Sequence, residues 1–308
     1  MEAIKFGFWP QSWKLNAGRI KIQPLTNFDE LVGKMDRCGQ VSGSWFYPPL
    51  TRAHDPKLAP EASPQIPATV YSLTATHELE TTEKEFGEFV IALVGLLTGL
   101  RLIPEKWKHF YRTAIKPNAF SDLICHPEEI ERVIGQADVF WHTSNSEVKR
   151  LIFGAIHWRS FCESYQHEFE RFGGQYTVLD TCYRIYRQTH PRAPRKDDRH
   201  AERPGALAKA YGLKVPPWAI IQPTNSLSRK TECSVSELRN AFFHEGLYGK
   251  EPIGFGYPDE AKFSGPIDLQ LGNFNTRLIL AIIGVKCGYV RSAVDDRNIR
   301  GLDLTGTK

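Results

Sequence analysis

Apolar and polar positions keep two different rhythms along this chain. From residue 1 to about 80 the apolar residues come in short alternating runs, RIKIQPL and ATVYSLTATHEL among them, set between proline-rich connectors such as YPPLTRAHDPKLAPEASPQIPA. Alternation of this kind predicts short strands in a mixed, loop-rich fold. FDELVGKMDRCG carries a brief helical pattern that Gly39 ends. EKEFGEFVIALVGLLTGL predicts a stronger helix, and PEEIERVIGQADVFW another, with Pro127 in its first turn followed by acids. The most apolar run, FVIALVGLLTGL, stops at Arg101, short of the roughly 20 residues that a bilayer crossing needs, and predicts a buried helix.

From about residue 144 the period becomes helical. Ser144 stands three residues before Glu147, a capping-box spacing, and opens EVKRLIFGAIHWRSFCESYQHEFERF, read as one helix that Gly173 and Gly174 break. QYTVLDTCYRIYRQ predicts a second helix, THPRAPRKDDRHAERPG a loop, and ALAKAYGL a short third helix. VSELRNAFFHEG follows as a fourth, and FNTRLILAIIGVKCGYV closes the set as a buried last helix. The expected fold class is α+β, with a mixed domain over residues 1–143 and a helical domain over 144–308. Asn275 and Arg277, near the start of the last helix, read as capping or solvated residues, with substrate contact as the alternative. Trp9, Trp13, Trp45 and Trp107 read as core or interface packing before they read as a binding surface.

Composition narrows the class. With 308 residues, 41% hydrophobic and 24% charged, the chain has enough apolar content for packed cores and suits two domains of ordinary size. Its net charge of +4 is too small for an obligate nucleic-acid coat protein. Residues 187–203 nevertheless concentrate six basic side chains, Arg187, Arg192, Arg195, Lys196, Arg199 and Arg203, against Asp197, Asp198 and Glu202. Such a segment is either a solvated loop of mixed charge or a contact for a phosphate backbone; in the second case Arg192, Arg195, Lys196 and Arg199 are the candidates for that contact. The six cysteines are scattered without a CxxC pair, which predicts reduced thiols and a cytoplasmic setting. The N-terminal residues show no signal-peptide pattern, and no membrane association is expected.

The segment SELRNAFFHEGL holds the densest chemistry. Ser234 and Glu237 repeat the capping-box spacing, which starts the helix at Val235, and Gly246 sits where a left-handed cap would end it. On an ideal helix Val235, Leu238 and Phe242 fall within a sector of about 60° and face the core, whereas Glu237, Asn240 and His244 form a second stripe. Arg239 lies about 140° from His244 on such a helix. One regular helix does not aim both at one atom. Either the helix deviates, or the arginine swings round, or two copies of the helix meet.

Arg-Asn followed after three residues by His, in LRNAFFHEG on a late helix, resembles the HEPN superfamily, and so does the order of elements over residues 144–295. The resemblance implies a HEPN-like α-helical bundle that acts as a metal-independent endoribonuclease, with motif helices paired across a homodimer. It implies His244 as general base on a ribose 2′-hydroxyl, Arg239 as the group that stabilises charge on the attacked phosphate, and Asn240 as the group that orients the two. The residue types suit these roles, since imidazole titrates near neutrality and guanidinium offers a fork of donors to phosphate oxygens. Glu237, better explained as a cap, and Tyr248 are supporting candidates. Some nucleases of the superfamily carry Tyr two residues after the His, where this chain has Gly246. RNA is the expected partner, together with an antitoxin or a trigger protein as in prokaryotic defence or toxin systems, and the first domain would sense the trigger or select the substrate. Two rivals remain: a non-catalytic module for dimerisation or RNA binding, and an adaptor whose first domain carries the function. No cofactor or metal is expected: GLYGKE and GFGYPD lack the spacing of nucleotide-binding loops, and HExxH and the Gly-x-Ser-x-Gly elbow do not occur.

Overall fold

The computed structural model describes residues 2–38, 40–42, 45–47, 75–105, 113–114, 122–163, 165, 167–191, 193, 199–221, 234–249, 251–253, 267–295 and 298–304. Over these residues the protein is α+β, helix-rich with short antiparallel strands. It divides into two compact units, Met1–Thr143 and Ser144–Lys308.

The first unit contains β1 (Glu2–Gly7), β2 (Leu15–Ala17), β3 (Ile20–Pro24), α1 (Phe28–Cys38), β4 (Gln40–Ser42), β5 (Trp45–Tyr47), β6 (His77–Thr81), α2 (Lys84–Thr98), β7 (Ile103–Pro104), β8 (Thr113–Ala114), β9 (Leu123–Ile124) and α3 (Pro127–Thr143). Five strands form an antiparallel sheet in the order β2-β3-β6-β1-β7, and β4-β5-β8 form a smaller one. Leu79 stands opposite both Ile4 and Ile22, so the alternation of these strands puts one apolar row on one face. Helix α2 packs against β1 and β6 and buries nearly every residue from Phe89 to Thr98. Trp141 of α3 stacks on Phe89 at 4.7 Å and donates its indole N–H to Glu83. Trp9 is fully buried, and Trp13 meets it edge-on at 5.8 Å; the side chains of Trp45 and Trp107 lie outside the described residues. His77 is buried against Phe6 and Trp9, and desolvation lowers its imidazole to about 4.

The second unit contains α4 (Ser146–Cys162), α5 (Glu168–Thr189), α6 (Arg203–Tyr211), a 3₁₀ turn (Pro217–Ala219), α7 (Ser234–Asn240), a π-helical turn (Ala241–Glu245), the hairpin strands β10 (Leu247–Tyr248) and β11 (Glu251–Pro252), α8 (Ile267–Ile283) and α9 (Gly288–Arg291). Helix α5 is the spine, in contact with α4, α6 and α8.

Here the structure corrects three readings of the sequence. The cap of α4 is Asn145, whose side chain accepts the Val148 N–H at 2.9 Å, not Ser144. The single long helix read over 147–172 is two, since α4 ends at Cys162 and α5 begins at Glu168 with a capping box between His167 and Glu170. Gly173 and Gly174 therefore lie inside α5 and do not break it, because their bare backbones admit the Phe242 ring and the Cys162 sulfur. Finally, Asn275 and Arg277 are fully buried, neither capping nor solvated. The Asn275 amide donates to the Gln175 carbonyl at 2.8 Å, which ties α8 to α5. Arg277 donates to Ser292 Oγ at 2.8 Å and lies over the Tyr289 ring at 4.1 Å, which ties α8 to α9. No helix of the described residues is long and apolar enough to cross a membrane.

Candidate functional site

Helix α7 buries Val235 and Leu238, while Phe242 is half-buried against Phe172, edge-on at 6.0 Å. These contacts fix which way the polar residues of the helix point. At Asn240 the α-helix gives way to the π turn, and the Gly246 N–H donates to the Ala241 carbonyl five residues back. A wider turn takes in one more residue, so side chains five apart come round to the same side. Arg239 and His244 do so: Nη1 of Arg239 lies 2.8 Å from Nε2 of His244 and 3.0 Å from Oδ1 of Asn240. The deviation of the helix thus brings the two together within one chain. Gly246, at φ +68°, ends the turn in the left-handed region that glycine adopts freely.

The chemistry of the contact fixes its protons. A guanidinium has only N–H donors, so Nε2 of His244 accepts, and the imidazole in this geometry is neutral with its proton on Nδ1. Asn240 Oδ1 accepts from the same guanidinium nitrogen and holds it in place. The Arg239 guanidinium also lies over the Phe243 ring, 5.4 Å from its centroid. Its Nε is buried and has no hydrogen-bond partner among the described residues. His244 and Phe243 are exposed, which leaves this polar face open.

Beneath the motif, α5 offers one stripe of residues at helical spacing, Gly173, Tyr176, Asp180 and Tyr183. Gly173 admits the Phe242 ring, which a Cβ would meet at 2.8 Å. Tyr176 contacts Phe243, with ring centroids 6.3 Å apart, and its hydroxyl lies 2.8 Å from Nδ1 of His200. Asp180 receives Nη1 of Arg203 at 2.8 Å, and the Arg203 guanidinium covers the Tyr183 ring at 4.7 Å. His200 is seated by the start of α6, where the Arg199 carbonyl accepts the Glu202 N–H and the Glu202 carboxylate accepts the Arg199 N–H. Burial first, and then the charges of Arg203 and Arg239, hold the His200 imidazole below its ordinary range, against the opposite pull of Asp180.

Of the residues singled out from the sequence, the structure brings Arg239, Asn240 and His244 together. Glu237 is exposed on α7. Tyr248 instead faces inward against Phe169 and Phe172, and burial pushes its phenol up; it does not join the polar face. Arg199 is described and exposed, whereas Arg192, Arg195 and Lys196 lie outside the described residues. Reading the sequence missed Tyr176, Asp180, His200 and Arg203 as neighbours of the motif. The α5 pair carries only helical spacing as a signal, and His200 is one histidine in a charged loop. Among the described residues no group of three or more His, Cys, Asp and Glu is arranged to hold a metal ion. Compared with known family models, with curated proteins and with solved structures, the chain matches none of them.

Proposed function

We propose that the second unit is a HEPN-like helical bundle with metal-independent endoribonuclease activity, in which His244, Arg239 and Asn240 act on a ribose-phosphate linkage. The observation that carries this reading is the 2.8 Å approach of an arginine and a neutral histidine on an exposed face, made by a π turn in the motif helix. Turns of that kind occur often at functional sites. In the free protein the guanidinium occupies Nε2 of His244. An incoming phosphodiester draws Arg239 onto its oxygens, because a charge-assisted contact to phosphate is stronger than one to a neutral imidazole. That frees Nε2 as the base for the 2′-hydroxyl. The 2′-oxygen then attacks the adjacent phosphorus, and Arg239 offsets the charge that gathers on the phosphate oxygens. The nucleophile and the positive charge are both supplied without a metal ion.

Arg192, Arg195, Lys196 and Arg199 would guide the RNA backbone to this face. Pairing of motif helices in a homodimer is part of the proposal through the resemblance alone, since Arg239 and His244 already meet within one chain. The first unit would select the RNA or sense a trigger or antitoxin protein, as in defence systems. One observation favours a second reading, a binding module without turnover: the only tyrosine close after the motif histidine, Tyr248, is turned into the core.

Incubation of the purified protein with single-stranded RNA in EDTA tests the first reading. Products ending in a 2′,3′-cyclic phosphate are expected, none from the matching deoxy strand, and none with His244→Ala. Cutting of the deoxy strand would end the proposal, whereas RNA bound equally by wild type and His244→Ala but cut by neither would establish the binding module.

A further inference from the structure

We propose that His200 is the second acid–base group of this site, protonating the departing 5′-oxygen while His244 takes the proton of the 2′-hydroxyl; this rests on the ribonuclease reading above. The argument starts from how the ring is held. Tyr176 engages Nδ1 at 2.8 Å, and Asp180 lies 3.9 Å from the same nitrogen. Nε2 has no hydrogen-bond partner among the described residues, and about 30% of the side chain is exposed. An imidazole anchored through one nitrogen and open at the other is built to exchange a proton in a fixed direction.

Two aromatic rings link it to Arg239. Tyr176, which holds His200, also meets Phe243, and Phe243 lies under the Arg239 guanidinium. The positive charges of Arg203 and Arg239 both act on His200, and Asp180 opposes them. A phosphodiester bound at Arg239 cancels one of the opposing charges, while Asp180 stays in place, so substrate binding itself loads the proton onto His200. In the reaction the O2′–P bond forms and the P–O5′ bond breaks. The 2′-hydroxyl proton passes to Nε2 of His244, and the proton on Nε2 of His200 passes to the leaving oxygen. The products are a 2′,3′-cyclic phosphate and a 5′-hydroxyl, with no net proton gained or lost.

Two substrates separate this role from a structural one. Single-stranded RNA has an alkoxide leaving group that needs a proton, whereas uridine 3′-(4-nitrophenyl phosphate) releases a phenolate that does not. His200→Gln should slow cleavage of RNA by about 10²- to 10⁴-fold and of the aryl ester by less than about tenfold, and His244→Ala should slow both. Equal losses on the two substrates with His200→Gln would overturn the proposal, as would an undiminished rate on RNA. No cleavage of either by the wild type would remove the ribonuclease reading itself. A second measurement avoids the variant's own folding: in wild-type protein with ¹⁵N-labelled histidine, inorganic phosphate should raise the His200 titration midpoint, and it should fail to do so with Arg239→Ala. A midpoint that phosphate leaves unmoved in the wild type counts against the loading of His200 by a bound phosphate and ends the proposal.

Discussion

Replacing Gly173 with alanine probes the packing on which the motif depends. The new methyl group would stand 2.8 Å from both Cε1 and Cζ of Phe242, where carbon atoms normally settle at about 3.5–4.0 Å. The ring must retreat by roughly 1 Å. It has little freedom to do so, because it meets Phe172 edge-on at 6.0 Å and Phe243 edge-on at 4.8 Å. Overpacking of this kind costs about 1–3 kcal/mol, against a gain of up to about 1 kcal/mol from alanine in a helix interior. Net destabilisation of up to about 2 kcal/mol is expected. Gly154→Ala, in α4 where a Cβ meets nothing within 4 Å, supplies the comparison and should gain about 0.5–1 kcal/mol. Urea unfolding of the two variants measures the difference directly, and RNA cleavage reads the displacement of the π turn. In a Phe242→Leu background the penalty at Gly173 should largely vanish, since the shorter side chain ends before the clash. A Gly173→Ala protein as stable as Gly154→Ala would refute the claim that this glycine seats the motif helix.

Arg239→Lys keeps the charge but loses the planar fork that reaches Asn240 and His244 together, and RNA cleavage should fall at least about 10²-fold with folding unchanged; a near-normal kcat would count against the assigned role. Asn145→Ala should cost about 1 kcal/mol in urea unfolding, and Ser144→Ala almost nothing, because Asn145 makes the capping bond. For His77 the sign follows from its lowered imidazole. Below about 6.5 the unfolded chain takes a proton that the folded protein refuses until about 4, so stability is complete above 6.5 and is lost as pH falls to 4, by roughly 3 kcal/mol. His77→Phe should remove that portion of the pH dependence, seen by comparing urea midpoints at pH 7.5 and 4.5.

Much of the local structure was legible because it depends on neighbours in sequence. Alternation in RIKIQPL marked β3, the apolar run before Arg101 marked a buried helix, and Pro127 with its following acids marked the start of α3. Gly246 announced its left-handed cap for the same reason. Glycine pairs were less informative. Gly173 and Gly174 have one local meaning, as helix breakers, and another when a ring and a sulfur must approach the backbone, and only the second holds here.

Arg277 shows the same limit, because a charged residue reads as solvated until Ser292, Tyr289 and the Asn273 carbonyl are known to surround it. The candidate site divides along this line. Sequence supplied Arg239, Asn240 and His244 as residue types at a spacing, and an ideal helix set Arg239 and His244 about 140° apart. Tertiary packing decided that they meet. The Phe242 ring, seated on Gly173, accompanies a π turn that no local pattern specified, and α5 carries Tyr176 to His200 across 24 residues. Side-chain chemistry and the period of apolar positions are local properties and can be read along the chain, whereas the widening of one turn and the approach of a distant imidazole depend on which surfaces the folded helices press together.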